Sequence, residues 1–495
     1  MADQEREFYL RTIETLNDAL RQDREMLRHQ DELLTQQTEL IAELKKKIEE
    51  LTEALNAKKV KKDSHNSSKP PSSDGYSKPA PKSLRTKSDK KQGAQKGHAG
   101  KGMPIMRKPD EVRNYYPEQC KNCPHKADCN FSCLGTHYTY DIEVITKLVA
   151  HKAYKCNCPM DSKELSGQFP ADATASKQYG KGLRAFVVSL LTQGYVSVSR
   201  TKQLIEGLGI PICTGTIQNM LTDAAEKVSD AVEIIRRKVS ELRVVHCDET
   251  GADINGSLYW IHCICNALWS YCVIHKKRGS IAMDEIGILP MLKNCIAIHD
   301  FWKSYLKYNN IKHGFCNTHL ARELIYVYEQ TGQEWANQMN SLLSEMCGRR
   351  NELLKAGVYC FEAGELEDYF RRYDEYLDEG TKLNPILPKA KGKKGPVSRG
   401  TNRCLIDRMK DYKDDILRFA TDWEVPFTNN EAERCVRFAK VKEKVSGCFR
   451  TKAGADNFIS IMSYIGSAKK HGESVFKALL KAFEGEAAAL VESWG

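Results

Sequence analysis

Leu242-Arg-Val-Val-His-Cys-Asp-Glu-Thr250 and Asn294-Cys-Ile-Ala-Ile-His-Asp300 decide the fold. Each is a short apolar run that ends at an acid. Such a run between polar flanks reads as a buried strand. Between them, Ser257–Asn266 and Ala267–Lys276 read as two more strands, rich in Ile, Cys, Tyr and Trp. Asn255-Gly256 is a turn dipeptide ahead of them, and Asp284–Lys293 reads as helix. If the two quoted strands are neighbours in one sheet, Asp248 and Asp300 converge at its edge. Paired carboxylates in that position bind hard divalent cations through oxygen. Two metals about 4 Å apart can activate the attacking oxygen and stabilise the leaving one in phosphodiester displacement. Strand-end aspartates also commonly cap turns, so spacing alone leaves both readings open.

A third acid has to come from further along. Residues 319–380 read as mostly helical and 381–404 as a Lys/Gly/Pro-rich loop. Thr428-Asn429-Asn430 then caps a helix that carries Glu433, Arg434, Arg437 and Lys440. Glu433, Arg437 and Lys440 are spaced i, i+4, i+7 and share one face. A metal-binding carboxylate and two cations for DNA phosphates then point the same way. Glu431, two residues earlier, is turned away by about 200°. With Asn430 as N-cap, Glu433 would also sit where a capping-box glutamate does, which is its structural explanation. His319 and Arg322 lie one turn apart on a helix face. They read equally as contacts to DNA or the scissile phosphate and as a structural polar pair.

Upstream of the strands, residues 176–240 are helical. A short helix over Ser199–Glu206, a break at Gly207-Leu-Gly209 and a second helix from Gly215 to about Ala225, capped by Thr214, read as a helix-turn-helix. Before that lies a cysteine cluster. Cys120-Lys-Asn-Cys123 is a two-residue-gap knuckle, and Cys129 and Cys133 follow it. After a strand-like stretch over Tyr138–Val149 come His151 and Cys156-Asn-Cys158. Four thiolates in tetrahedral array suit structural Zn²⁺. The preferred set is Cys120, Cys123, Cys156 and Cys158, with Cys129, Cys133 or His151 as possible substitutes.

Residues 58–108 carry fifteen Lys/Arg against Asp63, Asp74 and Asp89 alone. This reads as a basic, disordered linker whose phosphate contacts are independent of sequence and weakened by salt. It holds most of the imbalance behind the chain's 75 Lys+Arg, 65 Asp+Glu and net charge of +10. Residues 8–57 are a long helix without Pro or Gly. Ile13, Leu20, Leu27, Leu34, Ile41, Ile48 and Leu55 recur every seven residues, the seam of a coiled coil that self-associates. The polar, acidic N-terminus is the wrong flank for a secretory signal. No apolar run approaches the roughly 18–20 residues that span a bilayer. The eighteen cysteines therefore read as reduced thiols or metal ligands in a cytoplasm, with no membrane contact.

Asp248-Glu249-Thr250, Asp300 followed by Tyr305, Cys316-Asn-Thr-His319-Leu-Ala-Arg322 and Asn429-Asn-Glu-Ala-Glu433-Arg434 resemble the IS66 family of bacterial insertion-sequence transposases. So do Asn66-Ser-Ser-Lys-Pro-Pro-Ser-Ser-Asp74 and Gln95-Lys-Gly-His98. The resemblance runs along essentially the whole chain. It implies a ribonuclease-H-like catalytic domain with a DDE triad, Asp248, Asp300 and Glu433, and a helical insertion before the glutamate. It also implies a zinc-binding N-terminal region and accessory proteins of the same element. The implied chemistry uses two Mg²⁺ (or Mn²⁺) between the three acids. Water frees a 3′-hydroxyl at a transposon end, and that hydroxyl attacks target DNA. Such a protein would be associated with the nucleoid.

The expected architecture is an α+β, multidomain chain. It runs as a coiled coil (1–57), basic linker (58–109), zinc-ribbon-like region (110–170) and helical DNA-binding region (171–241). A catalytic domain (242–465) with an insertion at about 320–420 follows, then a helical tail (466–495). Two other classes compete. A DNA-binding regulator derived from an inactivated transposase is weakened by the presence of all three acids. A coiled-coil scaffold explains residues 8–57 and nothing after them.

Overall fold

The computed structural model describes residues 2–57, 60, 62–63, 65–67, 105–120, 122–157, 160, 164–386 and 400–495. Most of the basic segment, its Asn66–Asp74 motif beyond Ser67 and the Gln95–His98 stretch lie outside the described residues. These residues form a mixed α+β protein that divides into two compact units. One takes Met1–Pro81 and Gly314–Thr428, the other Lys82–His313 and Asn429–Gly495.

The second unit is built on a sheet. After β1 (Lys155–Asn157) and β2 (Glu164–Ser166), a small antiparallel pair, come α2 (Lys181–Thr192), α3 (Val198–Gly207), α4 (Thr214–Lys227) and α5 (Ser229–Ser240). Then follow β3 (Val244–Ile254), β4 (Ser257–Cys265), β5 (Ser270–His275), α6 (Ser280–Ile286), α7 (Ile288–Met291), β6 (Ile296–His299) and β7 (Lys312–Phe315). The five strands lie in the order β5-β4-β3-β6-β7. β3, β4 and β5 form an antiparallel meander, and β6 runs parallel to β3. α14 (Asn430–Ser446), α15 (Lys452–Lys470), α16 (Val475–Glu484) and α17 (Ala487–Glu492) complete the unit.

One apolar core runs through the sheet and its helices. Ala185 and Val188 of α2, Ile217 of α4, Ile235 of α5, Val245, Ile261, Ile461 and Leu479 are all fully buried in it. Residues 171–241 and 466–495, read from sequence as separate from the sheet, therefore share its core. Their apolar faces pack within this unit: α2 on α16 and α5 on α17. At the sheet edge, α15 lies along β5. Ser467 Oγ accepts from Ser270 N (3.1 Å) and Ser463 Oγ from Cys272 N (2.9 Å), and both hydroxyls also reach the carbonyls of those residues. An edge strand's backbone groups are thus satisfied by a helix. Gly466, between the two serines, permits the approach: a Cβ there would stand 3.3 Å from Ser270 Cβ.

Four local expectations are corrected. β3 does not stop at Asp248 but runs on to Ile254. It is held by antiparallel pairing with β4 down to Ile254↔Ser257 across Asn255-Gly256, whose φ of 49° and 82° suit a two-residue hairpin turn. The helix expected over Asp284–Lys293 starts at Ser280 and is broken by Gly287, at φ 78°. The cap of α4 is Cys213, not Thr214: Cys213 is extended and its Sγ accepts from Thr216 N. Tyr138–Val149 forms no strand; it is exposed, and no partner strand among the described residues completes its hydrogen bonding.

The first unit is helical. α1 (Ala2–Ala57) is a single 56-residue helix. α8 (Asn317–Thr331), α9 (Glu334–Lys355), α10 (Glu365–Leu383), α11 (Thr401–Asp411), α12 (Lys413–Ile416) and α13 (Arg418–Thr421) enclose Trp335, Met339, Tyr373 and Phe419. Part of the sequence read as linker is placed here. Asn66 is buried, with Nδ2 donating to Glu329 Oε2 (3.1 Å) on α8, and Val60 N donates to Gln330 Oε1 (2.9 Å). Among the described residues no helix is long and apolar enough to cross a membrane.

Candidate active site

The site is assembled by strand register. β3 and β6 are parallel neighbours with His246 level with Ile298. Two residues further along β3 is Asp248, and Asp300 is the first residue past the end of β6. Because side chains alternate along a strand, Asp248 lies on the same face as His246. Both are half-buried at the end of the parallel pair. Each carboxylate is oriented by a backbone N–H: Asp248 Oδ1 accepts from Glu249 N (2.9 Å), and Asp300 Oδ1 from Trp302 N (3.0 Å).

α14 packs over β3 and β4. Its N-cap is Asn429, not Asn430, and the Asn429 side chain caps no helix N–H. It is buried and turned to the sheet instead: Oδ1 lies 3.0 Å from His246 Nδ1, and Nδ2 donates to Cys247 O at 2.8 Å. The amide thereby pins the start of α14 to β3 at the two residues before Asp248. This changes the reading of Glu433. With Asn429 as cap, the capping-box position falls on Ala432, so capping does not explain Glu433. Glu433 is half-buried in the first turn, with Arg434, Arg437 and Lys440 exposed beyond it. Glu431 is engaged by Arg434 (3.7 Å) and by Lys470 of α15 (3.8 Å).

The opposite face of β3 carries a group that sequence reasoning passed over. Glu249 is buried and accepts from Tyr305 Oη at 3.1 Å. Burial, with the neighbouring Asp300 carboxylate, raises its pKa from the usual value to about 8; the guanidinium of Arg278, 3.9 Å away, opposes the rise. Arg278 is itself held between the rings of Trp260 and Trp302, at 4.6 and 3.5 Å. His299 stacks on Tyr305 (centroids 4.3 Å apart), and its Nε2 lies 2.9 Å from His313 Nδ1. Burial drives the His299 pKa down to about 3 and that of His262, the cross-strand partner of Glu249, down to about 4. The only signal in the sequence was the alternation that puts Glu249 opposite in direction to Asp248.

His319 and Arg322 are half-buried on α8 of the helical unit. Cys120 ends a short 3-10 turn, and Cys123 follows it, both half-buried. Cys129 and Cys133 are exposed, and Cys156 is exposed on β1. Among the described residues no three of these ligands are gathered around one point, and Cys158 lies outside the described residues.

Residues 176–457, which include the sheet, both aspartates and α14, match the family described as Transposase IS66 family. Residues 16–104 match a family of unknown function, DUF6444. No curated protein matches the chain. More than half of its length falls within the first match, and the chain belongs to the IS66 family of transposases.

Proposed function

We propose that the chain cleaves phosphodiesters at the ends of an insertion sequence and joins the freed 3′-hydroxyls to target DNA, with Asp248, Asp300 and Glu433 as its catalytic carboxylates. The observation that carries this reading is the parallel pairing of β3 with β6, neighbours whose chains run into Asp248 and Asp300. The clamp of Asn429 on β3, at the start of the helix that carries Glu433, supports the choice of that acid as the third. The strand order, with an antiparallel meander on one side of β3 and a parallel neighbour on the other, supports a ribonuclease-H-like catalytic fold. Residues 314–428 are then the insertion before the final acid.

Three carboxylates offer hard oxygen donors, the chemistry that Mg²⁺ or Mn²⁺ takes. Two such ions, when bound, activate the attacking oxygen and stabilise the leaving one. The chain's own groups hold and position. The backbone N–H bonds to Asp248 and Asp300 fix the orientation of their carboxylates. An ionised carboxylate has about four lone-pair sites, enough to accept such a bond and ligate as well. Arg434, Arg437 and Lys440 hold the DNA backbone near Glu433, and His319 and Arg322 are further DNA contacts on the insertion. α4 presents Gln218, Asn219 and Thr222 on its exposed side, groups suited to reading base edges, so α3 and α4 serve as the helix-turn-helix. Cys120, Cys123, Cys156 and Cys158 hold a structural Zn²⁺. α1 multimerises the chain so that two DNA ends are held together, alongside accessory proteins of the same element.

The test is cleavage and strand transfer with labelled element ends. Activity is expected only with Mg²⁺ or Mn²⁺, and Asp248→Asn and Asp300→Asn should each abolish it. Full strand transfer by both variants overturns the assignment. Glu433→Gln should lose on the order of 100-fold or more with folding and DNA binding retained, while Glu431→Gln should be nearly silent. The reverse result moves the role to Glu431.

A further inference from the structure

Four cysteines of the sheet unit meet under α14, away from the N-terminal cysteine cluster. Cys263 and Cys265 are two apart on β4 and share a face. Cys272 on β5 is the direct cross-strand partner of Cys263. Strand pairing sets Cys263 opposite Asp248 and Cys265 opposite His246, so these thiols lie on the face that α14 covers. α14 contributes Cys435. The sulfurs of Cys263, Cys265 and Cys435 all lie within 4.8 Å of one another, and Cys435 Sγ is 3.7 Å from Cys272 Sγ. The three strand cysteines are 1%, 0% and 4% exposed.

Zinc holds thiolates at about 2.3 Å in a tetrahedron, which sets neighbouring sulfurs roughly 3.8 Å apart. The Cys272–Cys435 spacing already matches one edge of that figure. Cys263, Cys265 and Cys435 make a second face of such a figure, with no sulfur more than 4.8 Å from another. Apolar packing alone does not call for sulfur here: Ile261, Ile264 and Ile274 fill neighbouring strand positions with hydrocarbon. A zinc thiolate centre carries negative charge, and a half-buried cation lies close by. Lys470 Nζ donates to Asn266 O and Trp269 O (3.1 Å for the latter) at the β4–β5 turn, and it faces Glu431 as well, at 3.8 Å.

We propose that Cys263, Cys265, Cys272 and Cys435 form a thiolate site for one structural Zn²⁺ that fastens α14 to the sheet two residues beyond Glu433. Each thiol that ligates gives up its proton to solvent. The ion ties β4, β5 and α14 together on the same face of the sheet as the Asn429 clamp, so the helix is fixed at two points around its first turns.

The experiment uses the full chain with Cys120, Cys123, Cys129, Cys133, Cys156 and Cys158 all changed to Ser, which leaves the N-terminal region no thiolate to offer. Purified without chelator, this protein should retain about one zinc per chain by elemental analysis. Exchange with Co²⁺ should give the intense visible and sulfur-to-metal charge-transfer bands of a tetrahedral thiolate centre. This spectrum needs no change at the cluster, so it stands even where cluster variants misfold. Adding Cys435→Ser to a chain that still folds should remove the zinc and the bands. Absence of zinc and of the cobalt spectrum in the six-serine protein overturns the proposal. A Cys272–Cys435 disulfide in the freshly purified, reduced protein overturns it too.

Discussion

Asp248 and Glu249 are adjacent, yet the sheet gives them opposite fates. Asp248 is held half-open by a backbone N–H, while Glu249 is buried between Tyr305 and Arg278. Its pKa of about 8 lies above the 4.5 of an unburied glutamate, so the folded state binds this proton more tightly than the unfolded state. That contribution is complete below pH 4.5 and is lost as pH rises towards 8, at up to about 1.4 kcal/mol per pH unit. His299 and His262 act in the other sense. Their pKa values of about 3 and about 4 lie below the ordinary 6.5, so the stability they give is present above pH 6.5 and lost on acidification. Glu249→Gln should therefore leave stability at pH 5 close to that of the parent and raise it at pH 8. Denaturant melts of the metal-free protein at the two pH values check this. An unchanged pH profile between 6.5 and 8 would show that Glu249 is ionised in the folded protein. Asp248 and Asp300 were legible in the sequence because apolar runs lead straight into them. Asn429 was visible only as a cap. Its clamp on His246 and Cys247 joins residues more than 180 positions apart, and no local pattern reports such a contact.

Among the elements, β3 was only half legible. After Cys247 its sequence turns polar, Asp-Glu-Thr-Gly-Ala-Asp, and its strand character comes from register with β4 rather than from its own pattern. α1 was legible throughout, because a seven-residue repeat needs no tertiary context. Its seam stands open along the helix: Ile13, Leu20, Leu27, Leu34, Ile41 and Ile48 are each more than half exposed. A soluble helix does not leave such a stripe in water when a second copy can cover it. Light scattering should give a multimer for the parent chain. Leu27→Asp with Leu34→Asp should shift it towards the monomer while the far-ultraviolet circular dichroism of the rest is kept. A parent chain that is monomeric at high concentration would count against the seam.

For the whole molecule, charge and connectivity matter more than any one local bond. The fifteen cations of residues 58–108 predict a shared, unspecific hold on DNA. Replacing eight of its lysines by Gln should weaken binding to cognate and random duplexes alike. It should also flatten the fall of log K with log salt, by about 0.9 for each phosphate that is no longer neutralised. A weakening confined to cognate ends would mean that the segment reads sequence instead. The division into units was legible only in outline. The helical stretch before Glu433 shows in its periodicity, but the sharing of one core by α2–α5, the sheet and α14–α17 depends on which apolar faces meet, and periodicity does not specify partners. The sheet unit is thus interrupted in the chain: its last helices are encoded after the whole of Gly314–Thr428. During synthesis, Asp300 leaves the ribosome roughly 130 residues ahead of Glu433, an interval on the order of 10 s at ~5–20 residues per second. If the proposed triad is right, a nascent or prematurely terminated chain of that length has two of the three acids but cannot complete the set, so the DNA around it would meet a cutting enzyme only after translation is nearly finished.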